Sequence, residues 1–165
     1  MSKILVPDVG KVYLKIKEIL EKPENIGEIN DAIKEYDSNA TFHGVVVGSY
    51  KVIGLYPCCA IIPGAILIVP VGSAYTYEFR YEFDIGIYTK NIMTHESYFY
   101  HWKVSQVIWQ ILASPEYEKW IMDDGVVYLF DIFRGIDQGY TEGGAIRVTM
   151  LHAAAQCRKT LLVAG

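Results

Sequence analysis

The chain has 165 residues, of which 52% are hydrophobic and 21% charged, and its formal net charge is −4. This composition fits one globular domain with a real core and excludes a disordered chain. The acidic balance argues against a basic surface built to grip nucleic acid, although an acidic surface would let DNA slide past without adhering.

The first residues, MSKILVPDVGKV, lack a long apolar core followed by a small-residue cleavage site and are read as containing no signal peptide. Asp8 is placed to cap a first helix, whose apolar positions Val9, Val12, Tyr13, Ile16, Ile19 and Leu20 follow helical spacing. Pro23 ends that helix, because the residue before a proline is pushed out of helical geometry. Asn25 with Glu28 resembles a capping box, and Ile26, Ile29, Ala32, Ile33 and Tyr36 form the face of a second helix. Both helices are expected to pack on a sheet.

From residue 42 to 71 the texture becomes β-branched and aromatic, punctuated by Gly and Pro. Short strands are expected at 44–47, 52–56, 60–62 and 66–69, with Pro63-Gly64 as a turn. The prolines assign this region to a hairpin or to the edge of the sheet. Lys51 is the only charged residue between His43 and Glu78, so the run is either buried in the subunit or covered by a partner, and burial is the commoner case. Its Gly and Pro interruptions exclude a membrane helix, which needs about 20 consecutive apolar residues. Cys58 and Cys59 are adjacent and Cys157 is remote, and no CxxC pair occurs. Adjacent strand residues point to opposite faces, so the three thiols are read as small apolar residues in a reducing, cytosolic setting.

The most legible stretch is TYEFRYEFDIGIYTK, residues 76–90. Tyr77, Phe79, Tyr81, Phe83, Ile85 and Ile87 alternate with Glu78, Arg80, Glu82, Asp84, Gly86 and Tyr88, which predicts a strand with one buried and one wet face. At about 3.3 Å per residue it runs for roughly 45 Å, long enough for one end to project from the domain. Thr94 or Ser97 then caps a helix to about Ala113, with Val104, Ile108, Ile111 and Leu112 as its stripe and Trp102 and Trp109 flanking it. Residues 116–122 are read as one further turn and 123–125 as a tight turn. VVYLFDIF, residues 126–133, is apolar at every position except Asp131, the signature of an inner strand covered on both faces, with Asp131 taken as a polar-face residue near the sheet edge. Residues 134–144 read as a glycine-rich loop and 145–153 as a strand. Residues 157–163 are either a final short strand or a tail that docks on a neighbour.

Signals for chemistry are sparse. His43, His95, His101 and His152 show no metal-ligand spacing with one another or with a cysteine, and neither a nucleophile elbow nor a phosphate-binding glycine loop is present. Asp137 and Glu142 would repel phosphate from the glycine-rich segment. Glu78, Glu82 and Asp84 share one strand face about 7 Å apart, a spacing open to a carboxylate pair, but Arg80 lies between them and a solvated charged face is the simpler reading. The expectation is a protein that is not an enzyme and holds no metal or cofactor. Thirteen tyrosines suit half-buried strands and subunit interfaces alike.

The order of elements carries more than any single residue. An amphipathic helix, a Pro-containing apolar hairpin (Tyr56-Pro57 and Ile61-Ile62-Pro63-Gly64), the long alternating strand, a helix, an inner strand, a glycine-rich loop and the strand GGAIRVTM follow one another. This layout, from about residue 11 to 152, resembles the tail terminator or tail completion proteins of tailed bacteriophages. The resemblance implies an α+β subunit in which helices pack on one face of a mostly antiparallel sheet with one long central strand. It also implies a homo-oligomeric ring, typically of six copies, that caps the tail tube and joins it to the head connector. Partners would be further copies of the chain, tube protein and connector proteins, with DNA only passing through the lumen. The setting would be the virion neck, assembled in the host cytoplasm. Glu78, Arg80, Glu82 and Asp84 on the long strand, and Asp137, Gln138, Tyr140 and Glu142 in the loop, are the expected subunit, tube or connector contacts. The chain reads as a single domain over 1–165, with a core of about 8–153 and an extension over 154–165. The alternatives are another neck or tail component, or a small-molecule-binding α+β domain or enzyme with its site on the sheet.

Overall fold

In the computed structural model, described for residues 8–72, 76–91, 95–122 and 126–160, three helices cover one face of a mixed sheet. The helices are α1 (Val9–Leu20), α2 (Pro23–Lys34) and α3 (Glu96–Leu112). The strands are β1 (Val45–Val47), β2 (Cys58–Pro70), β3 (Thr76–Lys90), β4 (Lys119–Ile121), β5 (Val127–Thr141) and β6 (Ile146–Thr160). Their order in the six-stranded sheet is β1-β2-β3-β6-β5-β4, and every pairing is antiparallel except β1 with β2. The fold is α+β, with β3 and β6 at its centre.

The alternation in β3 is realised as read. Phe79, Tyr81, Phe83, Ile85 and Ile87 are buried under α1 and α3, against Val12, Ile16, Val104 and Ile108. Burying each such side chain stabilises the fold by ~1.5–3 kcal/mol, so this one row supplies a large part of the core. The even positions face the other way. At residues 86–88 that second face is also covered, because the chain after β1 folds back over it and Tyr50 stacks on Tyr88 with ring centroids 4.1 Å apart. Gly86 makes this possible: a Cβ there would lie 2.6 Å from the Tyr88 ring. Cys58 and Cys59 point to opposite faces as expected, each buried in a different cluster.

Several local expectations change. Asp8 does cap α1, accepting from the Gly10 N–H at 2.8 Å. Pro23, however, also opens α2, where its missing N–H and fixed φ suit the first turn. Asn25 therefore lies inside α2, buried, donating to the Ile19 carbonyl at 2.7 Å and lying 3.1 Å from the Tyr117 hydroxyl. Residues 52–56 form no strand; a 3-10 turn, Tyr50–Val52, replaces it. Thr94 and the turn at 123–125 fall outside the described residues. Ser97 lies within α3 and bonds Asn91 instead of capping the helix. Residues 115–121 form a 3-10 turn and β4 in place of a further α-helical turn.

Pro63-Gly64 is not a turn but a bulge inside one continuous strand, β2. Proline is tolerated there because it sits on the outer edge, where no ladder bond is lost. Gly64 is required because a Cβ would meet the Glu82 carbonyl oxygen at 2.6 Å. The apolar run is buried only as far as residue 61, and residues 63–70 are exposed. The segment read as a glycine-rich loop is mostly strand: β5 continues to Thr141 through a second bulge between Ile132 and Ile136, with Gly135 at φ +112°. β5 is not covered on both faces, since Leu129 is exposed and Asp131 lies on the open face. Beyond residue 153 the chain does not detach; β6 stays paired with β3 to Thr160.

Candidate assembly surface

The open face of the sheet carries its polar residues in rungs fixed by strand register. Asp84 on β3 stands opposite His152 on β6, Arg80 opposite Gln156, and Glu78 opposite Arg158. Side chains paired across an antiparallel ladder point to the same face. His152 Nδ1 lies 2.5 Å from Asp84 Oδ1, and its Nε2 lies 2.8 Å from Asp137 Oδ2 on β5, so one imidazole ties three strands together. Its pKa is raised, first by the Asp137 hydrogen bond and then by Asp84. Arg80 donates to Gln156 Oε1 at 3.1 Å, Gln156 donates to Glu78 Oε1 at 2.7 Å, and Arg158 pairs with Glu78 at 3.4 Å. Arg80 also lies 3.5 Å from Glu82. An open cleft of about 420 Å³ lies over Glu82, Asp84 and His152, walled by the β2 bulge at Gly64 and Ala65. Asp84 and His152 bond one another across strands, which braces the face against shear, while Glu82 contacts Arg80 on its own strand. Among the described residues, no cluster of His, Cys, Asp and Glu has a metal-binding arrangement.

The eight expected contact residues do not form one surface. Glu78, Arg80, Glu82 and Asp84 share the open face, and the structure brings Asp137 to them through His152. Gln138 and Tyr140 register with Thr149 and Arg147, which lie on the helix face, so they point the other way. Tyr140 is exposed beside Arg147, whose guanidinium carbon is 4.8 Å from its ring centre. Glu142 lies apart from both groups, accepting from the Tyr50 hydroxyl at 2.6 Å and pairing with Lys51 at 3.4 Å. These contacts lower its pKa, the Tyr50 bond first.

Reading the sequence missed His152, Gln156 and Arg158. Their signal was present as alternate polar positions, but it was hidden by splitting residues 145–163 into two pieces. It also missed the two sheet edges. Among the described residues, β2 residues 62–70 have a backbone partner on one side only, β3, because β1 pairs no further than residue 61. Ile66, Leu67, Ile68 and Val69 are 46, 44, 54 and 53% exposed on this arm. At the opposite edge β4 pairs only with residues 127–129, so β5 residues 131–141 are also paired on one side only among the described residues. On the helix face beside this second edge, Trp102, Trp109, Ile136 and Leu151 line an almost wholly apolar hollow of about 250 Å³.

Beneath that hollow lies a closed polar cluster. His101 is buried, with Nδ1 2.7 Å from the Thr89 hydroxyl and Nε2 2.6 Å from the Thr149 hydroxyl. Burial, and then the nearby Arg147 charge, push its pKa down to about 4, so the ring is neutral at pH 7. It bonds β3 and β6 to α3 and is not reachable by a substrate.

No protein-family model matches the chain, and no curated protein matches it. Among solved structures, the chain is similar to a chain of the "Virion of native gene transfer agent (GTA) particle", with a TM-score of 0.47 and 11% identity over 77% of this chain and 84% of that one. Among the described residues, no helix is long and apolar enough to cross a membrane.

Proposed function

We propose that this chain is a structural virion protein, a subunit of a homo-oligomeric ring that caps a phage-type tail tube and joins it to the head connector, with no enzymatic role. The observation that carries the assembly part of this reading is the β2 arm. Over residues 62–70 it is an uncharged apolar strand that, among the described residues, is paired on one side only, and residues 63–70 are exposed on both faces. Edge strands are normally blunted by charge, shortness or cover, because an open edge templates pairing with another chain. Four half-exposed aliphatic side chains, each worth about 1 kcal/mol on burial, favour association by several kcal/mol before ordering costs. The placement within a tail is supported by the resemblance of the sequence to tail terminators, of which the helices and the long alternating strand stand in the fold while the Pro63-Gly64 turn and the glycine-rich loop do not. The polar face fits a lumen wall: Glu78, Glu82, Asp84 and Asp137 outnumber Arg80 and Arg158 there, which disfavours adhesion of DNA, and the cross-strand bonds of Glu78, Asp84 and Asp137 keep the face rigid.

Multi-angle light scattering and negative-stain microscopy of the purified chain test this reading. Closed rings of defined copy number are expected. A monomer at every accessible concentration, gaining thermal stability from a metabolite, would instead favour a small-molecule-binding domain.

A further inference from the structure

The two open edges of the sheet have matching properties. They lie on opposite sides of it, β2 residues 62–70 on one and β5 residues 131–141 on the other. They also lie at opposite ends of the strands: the β2 run pairs with β3 residues 77–84, whereas the straight part of the β5 run stands across β6 from β3 residues 85–90. Each run is set off from the body of the sheet by a bulge, between Pro63 and Ile66 in one and between Ile132 and Ile136 in the other.

We infer that the β2 arm of one copy adds as an extra strand to the free edge of β5 in the next copy, seating its Ile66 and Ile68 in the hollow between α3 and β5. This rests on the ring reading above and names the surfaces that build the ring. Ile66 and Ile68 register with Tyr81 and Phe79, so they point to the helix face of the sheet. On the receiving edge Ile136 points to that same face, next to Trp102 and Trp109, and Tyr140 shares the face further along the edge, beside Arg147. If the sheet continues from copy to copy with its helices on one side, the two isoleucines fall where the hollow is open. The polar rungs then fall on the opposite, inner side. The arm carries no charge and the hollow is almost wholly apolar, so no charged group is desolvated at its centre. The contact joins arm residues 62–70 to edge residues 131–141 and the exposed side of α3. Because the two surfaces differ, the contact is head to tail, the kind that closes into a ring rather than stopping at a dimer.

The test uses the full chain with Ile68→Lys as an arm variant and Ile136→Lys as a hollow variant; both positions are exposed in the subunit. Tyr140→Lys replaces the second if circular dichroism shows that Ile136→Lys fails to fold. Each variant alone is expected to run as a monomer by light scattering. An equimolar mixture is expected to give twice the monomer mass and nothing larger, because one intact arm meets one intact hollow and the remaining surfaces are dead. If the wild type forms rings and the hollow variants form them equally well, the pairing is wrong although the ring reading stands. Arm-to-arm pairing of copies, or an arm reserved for a tube or connector protein, gives that outcome. A mixture that stays monomeric also overturns the pairing. A wild type that never assembles removes the ring reading and this inference together.

Discussion

Acid should destabilise this fold through His101, and the size of the effect follows from its surroundings. The imidazole is buried among Thr89, Ser105 and Thr149 with Arg147 nearby, and its pKa drops from 6.5 to about 4. A histidine depressed in the folded state binds its proton more readily when unfolded. Its contribution is therefore complete above about pH 6.5 and is lost as the pH falls toward 4. Lowering the pH from 7.5 to 4.5 should cost about 2.5 kcal/mol from this group alone, at ~1.36 kcal/mol per pKa unit. His152 works in the opposite sense: its raised pKa adds stability below its unfolded value, which is lost as the pH rises through the folded one. Comparison with His101→Gln isolates the buried group, because every other titration is common to both chains. At pH 7.5 the variant should be ~1–3 kcal/mol less stable, having lost one or both threonine bonds. At pH 4.5 that gap should narrow by about 2.5 kcal/mol, closing or reversing. The assay is urea unfolding followed by tryptophan fluorescence at the two pH values. Curves whose separation is the same at both would show that His101 titrates normally and that its burial is misread.

Two substitutions test the local geometry that carries the arm and the helix pair. Gly64→Ala forces a Cβ into the Glu82 carbonyl and should destabilise by ~1–3 kcal/mol, read as a lower melting temperature with the largest loss of amide-exchange protection along the arm; an unchanged melt would mean that the β2 bulge relaxes freely. Asn25→Ala removes the link from α2 to the Ile19 carbonyl and the Tyr117 hydroxyl and should cost ~1–3 kcal/mol in urea unfolding. A loss below about 0.5 kcal/mol would show that these groups find other partners.

The parts legible in the sequence were those fixed by a single local rule. Strict alternation identified β3 to the residue, and helical spacing with Asp8 as cap identified α1. Two of the errors share one cause, the reading of Gly and Pro as boundaries. In Pro63-Gly64 and in residues 134–144 these residues mark bulges, where the strand bends and continues. The distinction depends on what lies across the ladder. Gly64 is glycine because the Glu82 backbone passes beneath it, and Gly135 because His152 packs beside it, its ring carbon 3.1 Å from where a Cβ would sit. Neither neighbour is close in sequence. For the same reason the expected contact residues were only partly assembled: strand parity groups Glu78 to Asp84 correctly, but uniting Asp137 with Asp84 requires the β5 register, which the bulge resets.

The bulges also explain how one sheet can hold both a rigid face and adhesive edges. Between them, β3 and β6 pair without interruption from Thr76 to Thr160 at one end and from Lys90 to Ile146 at the other. Their open face ties Glu78, Arg80, Asp84, His152 and Arg158 into cross-strand bonds, where a single loss leaves a partner unsatisfied. The flanking strands β2 and β5 pass their bulges and run on without an outer partner among the described residues. There the composition changes: the β2 run has no charge, and the β5 run borders a hollow lined by two tryptophans. A solitary soluble protein gains nothing from an uncharged aliphatic edge, because exposure costs solubility and invites disordered aggregation. Such an edge is tolerable where a specific surface meets it first. Prolines at 63 and 70 bound the run and limit how far a partner strand can extend, so pairing stays finite. In the proposed assembly, the rigid centre would hold each subunit's shape while the bounded apolar edge of one copy meets the apolar hollow of the next.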